Sequence, residues 1–290
     1  MKTVKGRVAA ITGAASGIGR ATAKLLAENG CSVAISDVDE QGLAETAAAC
    51  RAFGVQVRAT RVDVADRAAV HAWAEEVARV FGAVHVVVNN AGVSVTSTIE
   101  DLRYEDFEWL MNINFWGVVH GTKAFLPFLK SADEGHIVNV SSVFGLIGVP
   151  TQGAYNAAKF AVKGFTEALR QELEVEGLPI GVTCVHPGGI KTNIARSARL
   201  TIREGWVSEE ESRNTDKLFR TEPEEAARDI LDAILRNRRR KLIGTDAVVI
   251  DLVQRALPTL YQRLVVAGTR HRRNQMLARK RGQAPFPSEK

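Results

Sequence analysis

Thr12-Gly13-Ala14-Ala15-Ser16-Gly17-Ile18-Gly19 follows the apolar run Val8–Thr12 and opens an alanine-rich segment with helical spacing. A strand that turns through glycines directly into a helix lets the backbone approach an anion closely, with the helix N-terminus supplying positive dipole and free N–H groups. The spacing is Gly-x-x-x-Gly-x-Gly rather than the commoner Gly-x-Gly-x-x-Gly, so its position between strand and helix carries the argument. The loop predicts a pyrophosphate cradle formed by Gly13, Ser16, Gly17, Ile18 and Gly19.

Outward from this loop, β-branched runs alternate with alanine-rich helical segments. The pattern predicts strands at Val8–Thr12, Ser32–Asp37, Val55–Val62, Val84–Asn89, His136–Ser141 and Gly181–His186. The helices fall near 17–30, 39–53, 66–81, 103–131, 152–176 and 223–236. Runs such as Val84-His-Val-Val-Val are continuous rather than alternating, which suits strands covered on both faces. The fold class is therefore α/β: a doubly wound, parallel, Rossmann-type sheet in one domain, residues 1–245, with an additional C-terminal helix. Residues 246–281 read as an amphipathic helical extension kinked at Pro258, and 282–290 as a disordered tail. The segment 190–220 breaks the rhythm and reads as a lid over a site.

The 290 residues are 46% hydrophobic and 24% charged, close to the average for globular proteins. Three scattered cysteines and six histidines without ligand spacing predict no metal site and a reducing compartment. The start Met1-Lys-Thr-Val-Lys-Gly-Arg7 has no signal-peptide pattern, and no apolar run is long enough to span a bilayer, so a cytoplasmic location is expected. Charge is uneven: residues 236–290 carry a net +11 and residues 1–235 a net −6.

Asp37 ends the second strand, eighteen residues after Gly19, where a carboxylate can accept ribose hydroxyls and repel a 2′-phosphate. NAD is expected over NADP, with Arg20 and Arg58 the nearby cations that would oppose this choice. Capping of the next helix is the simpler role for Asp37. Asp63-Val64 ends the third strand; Asp63 suits an adenine amino group or a helix cap equally well. Asn89-Asn90-Ala91-Gly92 ends the fourth strand with small, turn-permissive residues suited to backbone passing beneath a ribose. Tyr155-Asn-Ala-Ala-Lys159 sets a phenol and an ammonium on one helix face. A nearby cation favours phenolate and makes Tyr155 usable as a base. Ser142, thirteen residues earlier, follows a strand and so emerges at the carboxyl edge of the sheet, where open α/β sheets bind ligands.

Taken together, Thr12–Gly19, Asp63, Asn89–Gly92, Asn114, Ser142, Tyr155, Lys159 and Pro187-Gly188-Gly-Ile190-Lys-Thr192 resemble the short-chain dehydrogenase/reductase family from about Lys5 to about Thr192. The resemblance implies an oxidoreductase that moves a hydride between NAD and a secondary alcohol or ketone. It implies Tyr155 as general acid/base, Ser142 on the substrate oxygen, Lys159 on the nicotinamide ribose, and Asn114 supporting a water relay. It also implies Pro187, Gly188, Ile190 and Thr192 around the carboxamide. His186 reads as a satisfied buried histidine.

Val143, Phe144, Leu146, Ile147, Val149 and Trp206 suggest an apolar substrate pocket, or core. The extension beyond Gly244 departs from the family's short terminus and puts the usual tetramer in doubt. A homodimer or tetramer is expected, with no nucleic acid bound. Leu252, Val253, Ala256, Leu257, Leu260, Tyr261, Leu264 and Val265 recur at helical spacing ahead of a basic stretch. They suit packing on core or a second subunit, or peripheral membrane contact. The alternatives are an NADPH-dependent ketoreductase of a carrier-bound or free carbonyl, and a non-catalytic scaffold with the same fold.

Overall fold

The computed structural model describes residues 1–194, 197–201, 206 and 221–283, with side chains as far as Ala278. Strands β1 (Val8–Thr12), β2 (Ser32–Asp37), β3 (Val57–Arg61), β4 (Val86–Asn89), β6 (Gly135–Val140), β7 (Ile180–Pro187) and β9 (Arg240–Ile243) form one sheet in the order β3-β2-β1-β4-β6-β7-β9. Every pairing in it is parallel. The chain winds one way from β1 to β3 and the other way from β4 onward. The switch point lies between β1 and β4.

Successive strand residues point to opposite faces, and the two cores follow that alternation. Ala9, Ile11, Val33, Ile35, Val86, Val88, Val138 and Val185 pack under α1 (Gly17–Glu28), α2 (Glu40–Arg51) and α7 (Pro223–Leu235). On the other face, Ala10, Ala34, Val87, Ile137 and Val182 meet α3 (Arg67–Phe81), α5 (Gly117–Ser131) and α6 (Gly153–Val175). There Trp73 meets Phe125 edge-on, with ring centroids 5.1 Å apart. A fully parallel sheet needs both covers, which explains why its strands are apolar throughout.

The helix expected over 103–131 is divided. α4 (Tyr104–Met111) passes through a π-helical turn, Asn112–Trp116, before α5 begins. Sequence periodicity cannot register a widened turn that inserts one residue without breaking the helix. A small parallel pair, β5 (Val95–Ser97) with β8 (Arg199–Thr201), also escaped the pattern because three-residue strands carry no readable period. Of the segment 190–220 expected as a lid, residues 195, 196, 202–205 and 207–220 lie outside the described residues, as do 284–290 of the expected tail.

The C-terminal extension is two helices, α8 (Thr245–Ala256) and α9 (Tyr261–Gln283), separated at Pro258. The kink is thus a complete break, because proline cannot donate to the preceding turn and biases its neighbour away from helix.

Candidate active site

Thr12, Asp37, Asn89 and Pro187 end their strands, and Ser142 lies two residues beyond β6, so all five lie along one edge of the sheet. At β1, Gly13 and Gly17 take left-handed φ of 66° and 53°. A Cβ on Gly13 would stand 2.7 Å from Ala91 Cα, and one on Gly19 would overlap the Gly13 carbonyl oxygen. These positions admit no side chain. Ser16 precedes α1 without a side-chain capping bond, and no acidic residue occupies the helix's first turn. An uncapped helix start behind a glycine cradle fits a pyrophosphate, whose oxygens would take the free N–H groups. Thr192 lies against this loop, its Cγ2 3.0 Å from where a Gly17 Cβ would be.

Asp37 accepts from Ala15 N at 2.9 Å through Oδ2, and from Val38 N and Asp39 N at 2.7 and 3.1 Å through Oδ1. The α2 cap is Asp39, which accepts from Gly42 N. Asp37 therefore braces the glycine-rich loop rather than capping a helix. Arg20 donates to Ala15 O, to Gly42 O at 3.1 Å and to Glu45 at 2.9 Å, while Arg58 holds Glu76 through Nε at 2.9 Å. Both cations expected to oppose NAD selection are paired with carboxylates. Asp63 is exposed and turns the chain by accepting from Ala65 N; the α3 cap is Asp66. Val64 is buried, with its carbonyl 3.1 Å from His120 Nδ1. The Thr12 hydroxyl accepts from Asn90 N and Ala91 N at 3.0 and 3.1 Å, and Asn90 Nδ2 returns to Thr12 O and Gly13 O. The loop after β4 is thereby stitched to the glycine-rich loop.

Tyr155 and Lys159 lie one turn apart on α6. The Tyr155 residue is half-buried, but burial of its hydroxyl end pushes the phenol up to about 12; a hydrogen bond with Ser142 pulls it the other way. Lys159 Nζ stands 5.6 Å from the Tyr155 ring centroid and donates to Val140 O at 2.9 Å. Burial pulls its ammonium down to about 8. Desolvation disfavours charge on both groups. Ser142 Oγ accepts from Phe144 N at 3.1 Å, fixing the turn Val143–Gly145. Beneath it, fully buried His186 meets the Ser142 carbonyl through Nδ1 at 3.0 Å and is held neutral, pulled down by burial to about 4.

Asn114, in the π turn, exchanges two 2.8 Å bonds with the Val93 backbone, so one donor and one acceptor site of its amide shape that loop and one of each is left over. A Cβ on Gly92 would lie 3.4 Å from Asn114 Oδ1 and 3.6 Å from Lys159 Nζ. Gly92 thus lies against both side chains. Ile190 is buried and bridges to Thr221. Val143, Leu146 and Ile147 are buried in the loop beyond Ser142, whereas Phe144 meets Tyr155 edge-on at 6.3 Å.

Four supports were missed in the sequence. Asn156 ties the loop beyond Ser142 to α6, donating to Phe144 O and Ile147 O at 2.7 and 2.8 Å and accepting from Val149 N. Its place inside Tyr-Asn-Ala-Ala-Lys was the available signal. Asp246 on α8 accepts from Gly189 N at 2.7 Å, and Tyr261 on α9 accepts from Gly148 N at 3.2 Å. Arg199 pairs with buried Asp106 at 2.9 Å and stacks 3.6 Å above Trp109. These contacts join distant segments, and no local pattern announces them.

The short chain dehydrogenase family profile matches residues 7–203. SadH of Mycobacterium tuberculosis is 49% identical over 269 residues, covering 92% of this chain and 97% of that protein. Estradiol 17-beta-dehydrogenase 11 of Macaca fascicularis is 31% identical over 260 residues, covering 89% and 81%. A short-chain dehydrogenase/reductase from Burkholderia phymatum, crystallised with NAD, superposes with a TM-score of 0.82 at 32% identity, covering 90% of this chain and 97% of that one. A profile spanning more than half the chain and relatives aligned along nearly all of it settle the family: this protein belongs to the short-chain dehydrogenases, a family of oxidoreductases that use NAD or NADP.

Proposed function

We propose that the protein interconverts a secondary alcohol and its ketone, with NAD as the preferred cofactor and Tyr155 as the proton carrier. The observation that carries this reading is the convergence of Ser142, Tyr155 and Lys159 at the sheet edge beside an uncapped helix start, with Lys159 Nζ 5.6 Å from the Tyr155 ring and Ser142 Oγ fixed by Phe144 N. When bound, the dinucleotide supplies hydride acceptance and donation; the protein supplies orientation and proton chemistry.

In oxidation, Tyr155 as phenolate takes the hydroxyl proton, and in reduction it returns one. The Ser142 hydroxyl donates to the substrate oxygen as negative charge develops there, held in place by its own bond from Phe144 N. Lys159 would hold the nicotinamide ribose and offset charge on the phenolate, and the Asn114 turn would carry a water relay to solvent. The loop Gly13–Gly19, with Asp63, Val64 and Asn90–Gly92, would hold the pyrophosphate and adenosine; Pro187, Gly188, Ile190 and Thr192 would hold the carboxamide. Asp37 would take the ribose hydroxyls and repel a 2′-phosphate, and the pairing of Arg20 and Arg58 supports NAD over NADP. Phe144 beside the phenol, and a relative named for estradiol, favour an apolar substrate of some bulk. Residues 1–245 are taken as the catalytic unit, in a cytoplasmic homodimer or tetramer.

Purified protein incubated with secondary alcohols and either NAD or NADP, read by absorbance of the reduced cofactor, tests the reading. NAD-linked turnover that Tyr155→Phe abolishes is expected. Much tighter NADP binding would sink the cofactor assignment, and no turnover across a broad panel would sink the enzymatic one.

A further inference from the structure

Most helices in this fold turn apolar residues inward. α8 also turns a row of large apolar residues outward. Its inward face packs on β9 and on the turn Val143–Gly145 through buried Ala247 and Asp251. Asp251 is held by Arg240 and by Arg255 at 3.0 Å. Outward stand Val248, Val249 and Leu252, 43%, 58% and 60% exposed, at positions i, i+1 and i+4 that share one helix face. The apolar run continues along the chain through Leu257, Leu260, Leu264 and Val266, all exposed.

α9 adds charge to this surface. It approaches the body through half-buried Tyr261, Val265 and Thr269, with Arg273 over Trp206 at 5.2 Å. Arg263, Arg270 and Arg272 are exposed, and among the described residues none of them forms an ion pair. The two acidic residues of 245–278, Asp246 and Asp251, are both engaged with the body.

The geometry points to α8 and α9 as a docking element for an anionic lipid bilayer: the outward face of α8 and the turn at Pro258 enter the acyl boundary, and the α9 arginines lie on the headgroups. Among the described residues no helix is long and apolar enough to cross a membrane, so the element lies on the surface. Charge decides the occupant. A two-fold contact pairs the patch with its own copy, and the acids of this patch, Asp246 and Asp251, are already engaged and cannot answer the arginines of a second copy. An anionic leaflet complements the apolar face and the basic helix at once. Because Tyr261 and Asp246 bind the loops that follow Ser142 and Gly188, docking would place the mouth of the site against lipid. That last consequence rests on the proposed alcohol chemistry and selects a lipophilic alcohol partitioned in the bilayer.

Vesicle flotation of the full chain, without cofactor or substrate, tests docking separately from catalysis. The probes are phosphatidylcholine vesicles with and without phosphatidylglycerol. Expected is binding to the anionic vesicles, weakened by added salt, lost in V249D/L252D, and reduced on the order of tenfold in R270Q/R272Q. Tyr155→Phe should bind as the parent does. V249D/L252D, altering exposed positions only, should keep activity on a water-soluble alcohol. Equal or absent binding to the two vesicle types overturns the proposal. A concentration-dependent dimer that V249D/L252D dissociates, with no vesicle binding, also overturns it and gives the face to a second copy.

Discussion

α6 and α8 each bury a charge, and they do so to opposite ends. Lys159 on α6 is buried with a backbone carbonyl for company: Val140 O at 2.9 Å, and no carboxylate paired with it among the described residues. Asp251 on α8 is buried between two arginines. Burial alone would raise Asp251, yet the hydrogen bonds and charges of Arg240 and Arg255 outweigh it and hold the carboxyl below its usual range. The first charge costs stability at the site where the proposed chemistry would use it, and the second ties the extension to the sheet edge. A buried charge without its counter-ion marks a working site more often than a structural one.

The largest expected effect lies on α6. Tyr155→Phe should lower kcat/KM by about 10²–10⁴ while NAD binding, followed by fluorescence, persists. The oxidation kcat/KM of the parent should climb with pH across the neutral range, because burial keeps the phenol protonated there and its phenolate fraction grows with pH. It should bend above about 8, where Lys159 gives up its charge. A flat profile would remove Tyr155 from the proton path.

The next pair tests the comparison through the sign of a stability change. Lys159 has a folded value near 8, below its unfolded value, so its charge opposes folding below about 8 and the opposition fades as pH rises past it. Lys159→Met should abolish turnover yet keep or raise the melting temperature at neutral pH. Asp251→Ala should lower it, by about 2–3 kcal/mol of stability, since it leaves Arg240 half-buried without its partner. The Asp251 contribution is present at neutral pH and is lost as pH falls through its depressed folded value. Equal signs for the two variants would break the distinction.

The smallest effect concerns the join between extension and site. Tyr261→Phe removes the acceptor for Gly148 N, an exposed bond of about 1 kcal/mol. Alcohol KM should rise severalfold with kcat nearly unchanged, in steady-state kinetics on a water-soluble substrate. A change in kcat alone would mean that α9 does not position the loop beyond Ser142.

Much of this was legible without coordinates, and the reason is locality. Strand ends, the glycine cradle, the Tyr155–Lys159 helical pair and Ser142 after its strand each follow from backbone geometry acting over a few residues. They therefore leave a pattern in the chain. The parallel sheet follows as well, because strands that are apolar on both faces have to be covered on both faces.

What only the tertiary structure decided involves partners far apart in sequence, or the balance of burial against charge. The π turn at Asn112–Trp116, the bonding of Asn114 to Val93, and the bracing role of Asp37 could not be read from spacing. Nor could the neutralisation of Arg20 and Arg58, or the reach of Asp246 and Tyr261 to loops 57 and 113 residues away. The protonation of Tyr155 shows the limit most clearly. Spacing places a cation beside the phenol, but the surrounding protein sets the desolvation that pushes the phenol up, and desolvation is a property of the assembled fold.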